Sequence, residues 1–341
     1  MAAKTKTETT TRRKQILYPV LQNGSIGYID REGRMVVSPQ FNRARNDSFR
    51  VVGAVTVRGF HGGLAPAQIG EKWGYIDADG RVEIDPNFDE AGVFDDGFAP
   101  VLISGSWGYI DQAGKIKINP QFDEAGSFAE GFAAVKSDGK WGFIDTDGNY
   151  LVGSQFDDVA GERWNLMRHP ERGRGLFSEG LAGVKVGDKW GYIDKTGLMA
   201  IRPQFDAVGS FFEGLAAVKL GEHWGFIDKK GDFAINPQFD DVGGFGNGLA
   251  PVLKERQWGF VDKAGKYVAN PQFEDAYSFF EGLAAVKGEG RWGYIDTKGK
   301  YAISPQFDEA GNFTDGLAAV RLGDRWGYID KEGTYVWNPT N

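Results

Sequence analysis

The sequence predicts an all-β fold built from tandem repeats, and three observations predict it. First, the phrase Trp-Gly-aromatic-aliphatic-Asp opens at Trp73, Trp107, Trp141, Trp190, Trp224, Trp258, Trp292 and Trp326, with a weaker copy at Ile26-Gly27-Tyr28-Ile29-Asp30. Second, six of the seven steps between these tryptophans are 34 residues long, and the other is 49. Third, glycine stands three residues after every aspartate of the phrase: Gly33, Gly80, Gly114, Gly148, Gly197, Gly231, Gly265, Gly299 and Gly333. A fixed period of this length marks a small supersecondary unit that is stable only when stacked on its neighbours. No helical period rises above the pattern.

Each element of the unit has a local reason. In the copy over residues 214–250, residues 215–219 are apolar and read as a first strand, and residues 220–223 turn the chain. Residues 224–228 pair back as a second strand. Alternate residues of a strand share a face, so Trp224 and Phe226 point one way and Ile227 the other. Residues 228–231 form a tight turn, in which glycine supplies a positive φ and the aspartate bonds nearby backbone N–H groups. A third strand follows over residues 232–235. The prolines Pro39, Pro86, Pro120, Pro203, Pro237, Pro271, Pro305 and Pro339 are expected to end this strand, because proline donates nothing to a ladder. Ser154 takes that place in the fourth copy. Residues 242–245 read as a fourth short strand or a plain connector. The recurring rings, such as Phe205, Phe211, Phe239 and Phe245, are the expected core, each removing ~150–250 Å² from water.

Bulk properties bound the rest. The 341 residues include no cysteine, which excludes disulfides and thiolate metal sites and suits a reducing, cytoplasmic setting. No apolar run is long enough to span a membrane. The formal charge is −8. Residues 1–15 carry Lys4, Lys6, Arg12, Arg13 and Lys14 against Glu8, and are expected to form a disordered basic tail. The apolar stretch after Arg12-Arg13-Lys14 is too short for an export signal. Residues 16–341 read as a single repeat domain, and their negative balance disfavours nucleic acid as a partner.

With the Trp-Gly column, the turn glycine and the Pro-Gln-Phe-Asp ending in hand, the chain resembles the bacterial WG-repeat proteins over about residues 16–338. Copies such as His223-Trp224-Gly225-Phe226-Ile227-Asp228 and Arg291-Trp292-Gly293-Tyr294-Ile295-Asp296 match well, whereas the first copy has Ile26 in place of tryptophan. The resemblance implies a β-repeat module used for interaction and no catalytic residues.

Two architectures fit such a chain: an open β-superhelix or solenoid, and a closed propeller-like ring. The 34-residue unit is shorter than a usual propeller blade of ~40–45 residues, and nine copies exceed the usual ~4–8 blades. The strand phase at the two ends does not demand an exchanged strand. These points favour the open superhelix.

The chemistry-bearing residues are repeat positions or loop residues. Asp77-Ala78-Asp79-Gly80 and Asp145-Thr146-Asp147-Gly148 look like the start of a calcium loop but lack the later acidic ligand, so they read as turns. The Glu-Gly column (Glu179, Glu213 and Glu281, with Asp96 and Asp315) reads as a turn with a solvated carboxylate. His61, His169 and His223 have no metal-ligand spacing, and no nucleophile, phosphate-binding or dinucleotide fingerprint occurs. No enzyme activity, metal or cofactor is therefore expected.

The register breaks at two insertions, at about residues 47–59 and 162–176, both after a Phe-Asp or Phe-Asn pair and before the next Gly-Leu-Ala. Both are rich in arginine. Arg43, Arg45, Arg50 and Arg58 mark the first; Arg163, Trp164, Arg168, His169, Arg172 and Arg174 mark the second. Insertions in repeat proteins collect on one face, often the binding face, and arginine forms bidentate bonds with carboxylates and phosphates. The expected function is a non-enzymatic scaffold for protein–protein interaction, with these ten residues meeting an acidic protein partner. The alternative is a module for an anionic small molecule, glycan or nucleic acid, which would need exposed column tryptophans.

Overall fold

The computed structural model describes residues 16–42, 60–160 and 176–340. Among them the chain forms nine small antiparallel sheets in chain order. The third sheet is representative. Its strands a (Glu90–Ala91), b (Phe98–Ile103), c (Ser106–Asp111) and d (Ile116–Phe122) lie in that order. The first two sheets lack strand a among the described residues. The three strands expected in each unit are b, c and d. The expected fourth strand exists in short form, for example Asp241–Val242, and opens the sheet of the next copy.

The turn after the aspartate behaves as the sequence predicts. In the second copy the Gly80 N–H donates to the Asp77 carbonyl at 2.9 Å, with Gly80 at φ +77°. The Asp77 Oδ1 accepts from the N–H groups of Asp79 and Arg81 at 2.9 and 2.8 Å. Asp145 does the same for Asp147 and Asn149. The carboxylate is thus used by its own turn, which accounts for the resemblance to a calcium loop.

Proline does not end the third strand. Strand d of the sixth copy runs Phe233–Phe239 and contains Pro237. Trp224 faces Phe239 while Phe226 faces Ile235, so four residues of d span two of c. Proline is tolerated because it sits in this bulge, where its missing N–H costs no ladder bond. The bulge also explains the glycine of Trp-Gly. A Cβ on Gly225 would lie 2.5 Å from the Ile235 carbonyl oxygen and 2.7 Å from the Pro237 nitrogen. Gly108, Gly191 and Gly293 are covered in the same way.

Each sheet is packed between two neighbours, so both faces of strand c are buried: Trp224, Phe226 and Ile227 are at most 4% exposed. The joint between sheets repeats. The aromatic residue after Trp-Gly meets a phenylalanine of the next sheet edge-on or tilted. The pairs are Tyr28–Phe60, Tyr75–Phe94, Tyr109–Phe128, Phe143–Phe177, Tyr192–Phe211, Phe226–Phe245, Phe260–Phe279 and Tyr294–Phe313, with centroids 4.8 to 5.4 Å apart. Where the residue is tyrosine, its hydroxyl can also bond the next sheet. Tyr75 donates to the Gly92 carbonyl and Tyr109 to that of Gly126, both at 2.8 Å.

The same joint links the last sheet to the first. Tyr328 meets Tyr18 edge-on at 5.6 Å and donates to the Pro19 carbonyl at 2.8 Å. Gly33 packs against the Val336 backbone, as Gly114 packs against Ile84 one joint along the chain. The nine sheets are therefore blades in a ring, a β-propeller, and the open superhelix expected from the sequence is overturned. The short repeat suffices because strand a has only two residues in most blades and the hairpins are tight. Among the described residues the ends do not exchange a strand: the first sheet is formed by residues 18–42 and the last by residues 309–340. Closure is made by packed faces, which the phase of the termini does not reveal.

Two substitutions test the bulge. Gly225→Ala forces a Cβ against backbone and should lower stability by about 2 kcal/mol in urea unfolding. Ser154 occupies the proline position of the fourth blade, with its Oγ buried and without a partner among the described residues. Ser154→Pro should raise stability by roughly 0.4–1 kcal/mol in the same assay, by restricting the unfolded chain.

Candidate interaction face

Antiparallel pairing places the a–b and c–d connections of every blade on one face of the ring and the b–c hairpins on the other. In an unbroken blade the a–b connection is short. Gly92 and Phe94, both used in joints, are separated by Val93 alone. By sequence register both insertions fall in this connection, in the second and fifth blades. Phe60 and Phe177 hold the place of Phe94 beyond them, and both make their inter-blade ring contacts. The chain thus re-enters the ring after each insertion at the same place of a blade, and these two blades are three apart. The ten residues singled out in the sequence, Arg43, Arg45, Arg50, Arg58, Arg163, Trp164, Arg168, His169, Arg172 and Arg174, lie outside the described residues.

The described residues of this face form a charged belt. The a–b connection ends in a two-residue turn with both central residues at positive φ, such as Glu130 at +54° and Gly131 at +90°. Asn-Gly is the common choice for such a turn, and the seventh blade has it as Asn247-Gly248. A glutamate there costs about 1–2 kcal/mol of local strain. Its carboxylate explains its presence. Glu130 accepts from the N–H groups of Glu179 and Gly180 in the next blade, at 2.7 and 3.0 Å, and pairs with Lys195 at 2.9 Å. Glu179 accepts from Gly214 and pairs with Lys229, and Glu213 and Glu281 repeat the arrangement with Lys263 and Lys331. These carboxylates are only about one-third exposed or less, at 29–34%. The solvated carboxylate expected from the sequence is instead a clamp between blades.

Partner types co-vary around the ring. Each turn glutamate faces a lysine placed just after the aspartate of the next blade. Where the turn has Asp96 or Asn247, that position holds Thr146 or Thr297. Where it has Gly62, the position holds Gln112, whose amide donates to the Gly62 carbonyl at 3.1 Å. Sequence reading missed the clamp because the partners are fifty or more residues apart. The signal was nevertheless present as four Glu–Lys matches in one chain.

The bases of both insertions are tied into this belt. After the first, His61 sits 3.4 Å from Asp95 of the next blade. The hydrogen bond to Asp95 outweighs burial and holds the imidazole above its usual range. After the second, Glu130 holds the Glu179-Gly180 turn from one side, and the Ser178 hydroxyl donates to the Phe211 carbonyl on the other at 2.6 Å. Burial pulls the Glu130 carboxyl up, but Lys195 and the two N–H donors prevail and hold it below its ordinary value of 4.5. Glu281 is lowered by Lys331 and two backbone donors in the same way, against burial. All nine described tryptophans are buried or half-buried, so none offers an open stacking platform. Among the described residues no group of three or more His, Asp or Glu is placed to hold a metal, and no helix is long and apolar enough to cross a membrane.

The profile of the WG containing repeat matches residues 26–48, 73–106, 107–141, 141–162, 175–190, 190–222, 224–256, 258–291 and 292–326, well over half of the chain. The chain belongs to the WG-repeat family. Two of the gaps between matched stretches, after residues 48 and 162, coincide with the insertions. No curated protein matches the sequence. Among solved structures, this WG-repeat chain is similar to a crystal structure of a eukaryotic initiation factor, with a TM-score of 0.63 and 11% identity over 94% of this chain and 95% of that one. It is also similar to the dihydro-heme d1 dehydrogenase NirN in complex with DHE, with a TM-score of 0.47 and 13% identity over 96% of this chain and 74% of that one. For Kluyveromyces lactis Hsv2p the TM-score is 0.43, with 10% identity over 69% of this chain and 90% of that one. At such identities the first likeness speaks to the fold alone.

The belt carries a pH signature. Its lowered carboxyl groups stabilise the ring fully above their ordinary value, and the contribution is lost as pH falls through the lowered folded-state value. Glu130→Gln should cost about 1 kcal/mol in urea unfolding at pH 7. The gap to the wild type should close in the same assay as pH is taken below 4.5.

Proposed function

We propose that the propeller is a non-enzymatic, cytoplasmic scaffold for protein–protein interaction, and that the face bearing the two insertions meets the partner. The observation that carries this reading is their common origin. Two arginine-rich segments fall, by sequence register, in the same connection of two blades, and the chain after each is fixed by contacts to the next blade. A rigid ring with variable segments on one face is a usual arrangement for recognition. The partner we infer is an acidic protein segment, since arginine forms bidentate bonds with carboxylates. The acidic balance of the ring argues against nucleic acid. The alternative of a glycan or nucleic-acid module needs exposed column tryptophans, and these are enclosed in the blades.

The test is affinity for a partner recovered by pull-down from the host, and for an acidic peptide as a defined probe. Arg168→Ala, Arg172→Ala and Arg174→Ala combined should weaken binding at low salt by about tenfold or more. Unchanged affinity at low salt would remove the insertion from the proposal.

A further inference from the structure

Eight of the nine joints connect blades that are consecutive in the chain. Among the described residues the ninth, between the last blade and the first, has no such tether and no exchanged strand. It also lacks parts used elsewhere. The first blade has no strand a and no a–b turn among the described residues. Among the described residues the phenylalanine that each other blade offers its predecessor is therefore missing, and Asp315 has no turn N–H of a next blade to clamp.

Tyr18 supplies the missing ring. It stands on strand b opposite Ile29, the place held by Ala99 opposite Ile110 and Ala133 opposite Ile144 in other blades. A tyrosine at this small-residue position lets the first blade reach back to Tyr328. Its hydroxyl goes further and donates to the carbonyls of Thr314 and Asp315 at 3.2 and 3.0 Å, in the a–b turn of the last blade. Arg31 reads the same turn: a Cβ on Gly316 would lie 2.5 Å from its guanidinium. Arg31 holds the position filled by lysine after each turn glutamate. The seam thus shares the tyrosine-to-carbonyl bond and the turn-glycine packing of other joints, with Tyr18 in the place of the missing phenylalanine.

We propose that this seam is a reversible latch: the ring has an open form in which the first and last blades part while the eight chain-connected joints stay packed, and Tyr18 with Arg31 sets its population. Tyr18 bonds to this turn and Arg31 packs on it, so a single displacement releases both. The apolar patch beneath them, Tyr18, Val20 and Ile29 against Leu317, Ala319 and Tyr328, would separate as a unit.

The cysteine-free chain allows clean pairwise spin labelling. Glu32 and Glu332 are exposed and occupy equivalent turn positions on either side of the seam, while Lys298 and Glu332 flank the preceding joint and serve as control. Distances are measured between cysteine-substituted, labelled pairs in the full chain. In the wild type, urea below the main unfolding transition should lengthen the seam pair before the control pair. Tyr18→Phe with Arg31→Ala should raise the long-distance fraction of the seam pair about tenfold and leave the control pair unchanged. Parting of both pairs at one midpoint, in wild type and variant alike, overturns the proposal. If the variant fails to fold, the order of parting in the wild type decides by itself.

Discussion

The ring depends on one contact made nine times: an aromatic residue of strand c against a ring of the following blade. A three- or four-stranded sheet of this length cannot stand alone in water, because only packing on both faces removes enough apolar surface. The edge-on geometry adds direction to burial. Each such pair is worth about 0.5–1.5 kcal/mol beyond the area it buries, and only when ring edge meets ring face. Repeating that angle brings the last blade to the first. The charged belt acts on the same joints from one face, where each turn glutamate bridges to the next blade despite the strain of its own backbone. Strain of this kind persists only where surrounding structure holds it.

What the sequence made legible follows from the range of each interaction. The hairpin Leu215–Leu220 with His223–Ile227, and the turn at Gly231, are local, and composition alone carried them. The position of Pro237 was misread because its tolerance depends on a bulge, which is a property of two strands. The need for Gly225 was hidden for the same reason. Closure was less accessible still. It depends on Tyr18 and Tyr328, which are 310 residues apart and individually look like ordinary core residues. Length and copy number were poor guides, since they describe how usual blades are built and not the angle between these ones.

The belt was partly legible and was not used. A glutamate at a turn position that prefers asparagine or glycine is a local conflict, and such conflicts tend to mark a long-range purpose. The seventh blade shows the unconflicted solution, Asn247-Gly248, and there the following blade has Thr297 in place of lysine. Within one chain the repeats thus act as variants of one another. A substitution in one blade is answered in the next, which is the expected sign of direct contact.

In unbroken copies the a–b connection is fixed to the preceding blade at both of its ends. There the Gly92 carbonyl accepts the Tyr75 hydroxyl and Phe94 brings the ring of the joint. Beyond each insertion Phe60 or Phe177 keeps its ring contact, and the cost of a longer loop grows only slowly with its length. Extra residues inside strands b, c or d would move every side chain beyond them to the other face of the sheet. The ring therefore constrains where new chain can be added as firmly as it constrains its own core, and by sequence register both insertions fall where that constraint is weakest.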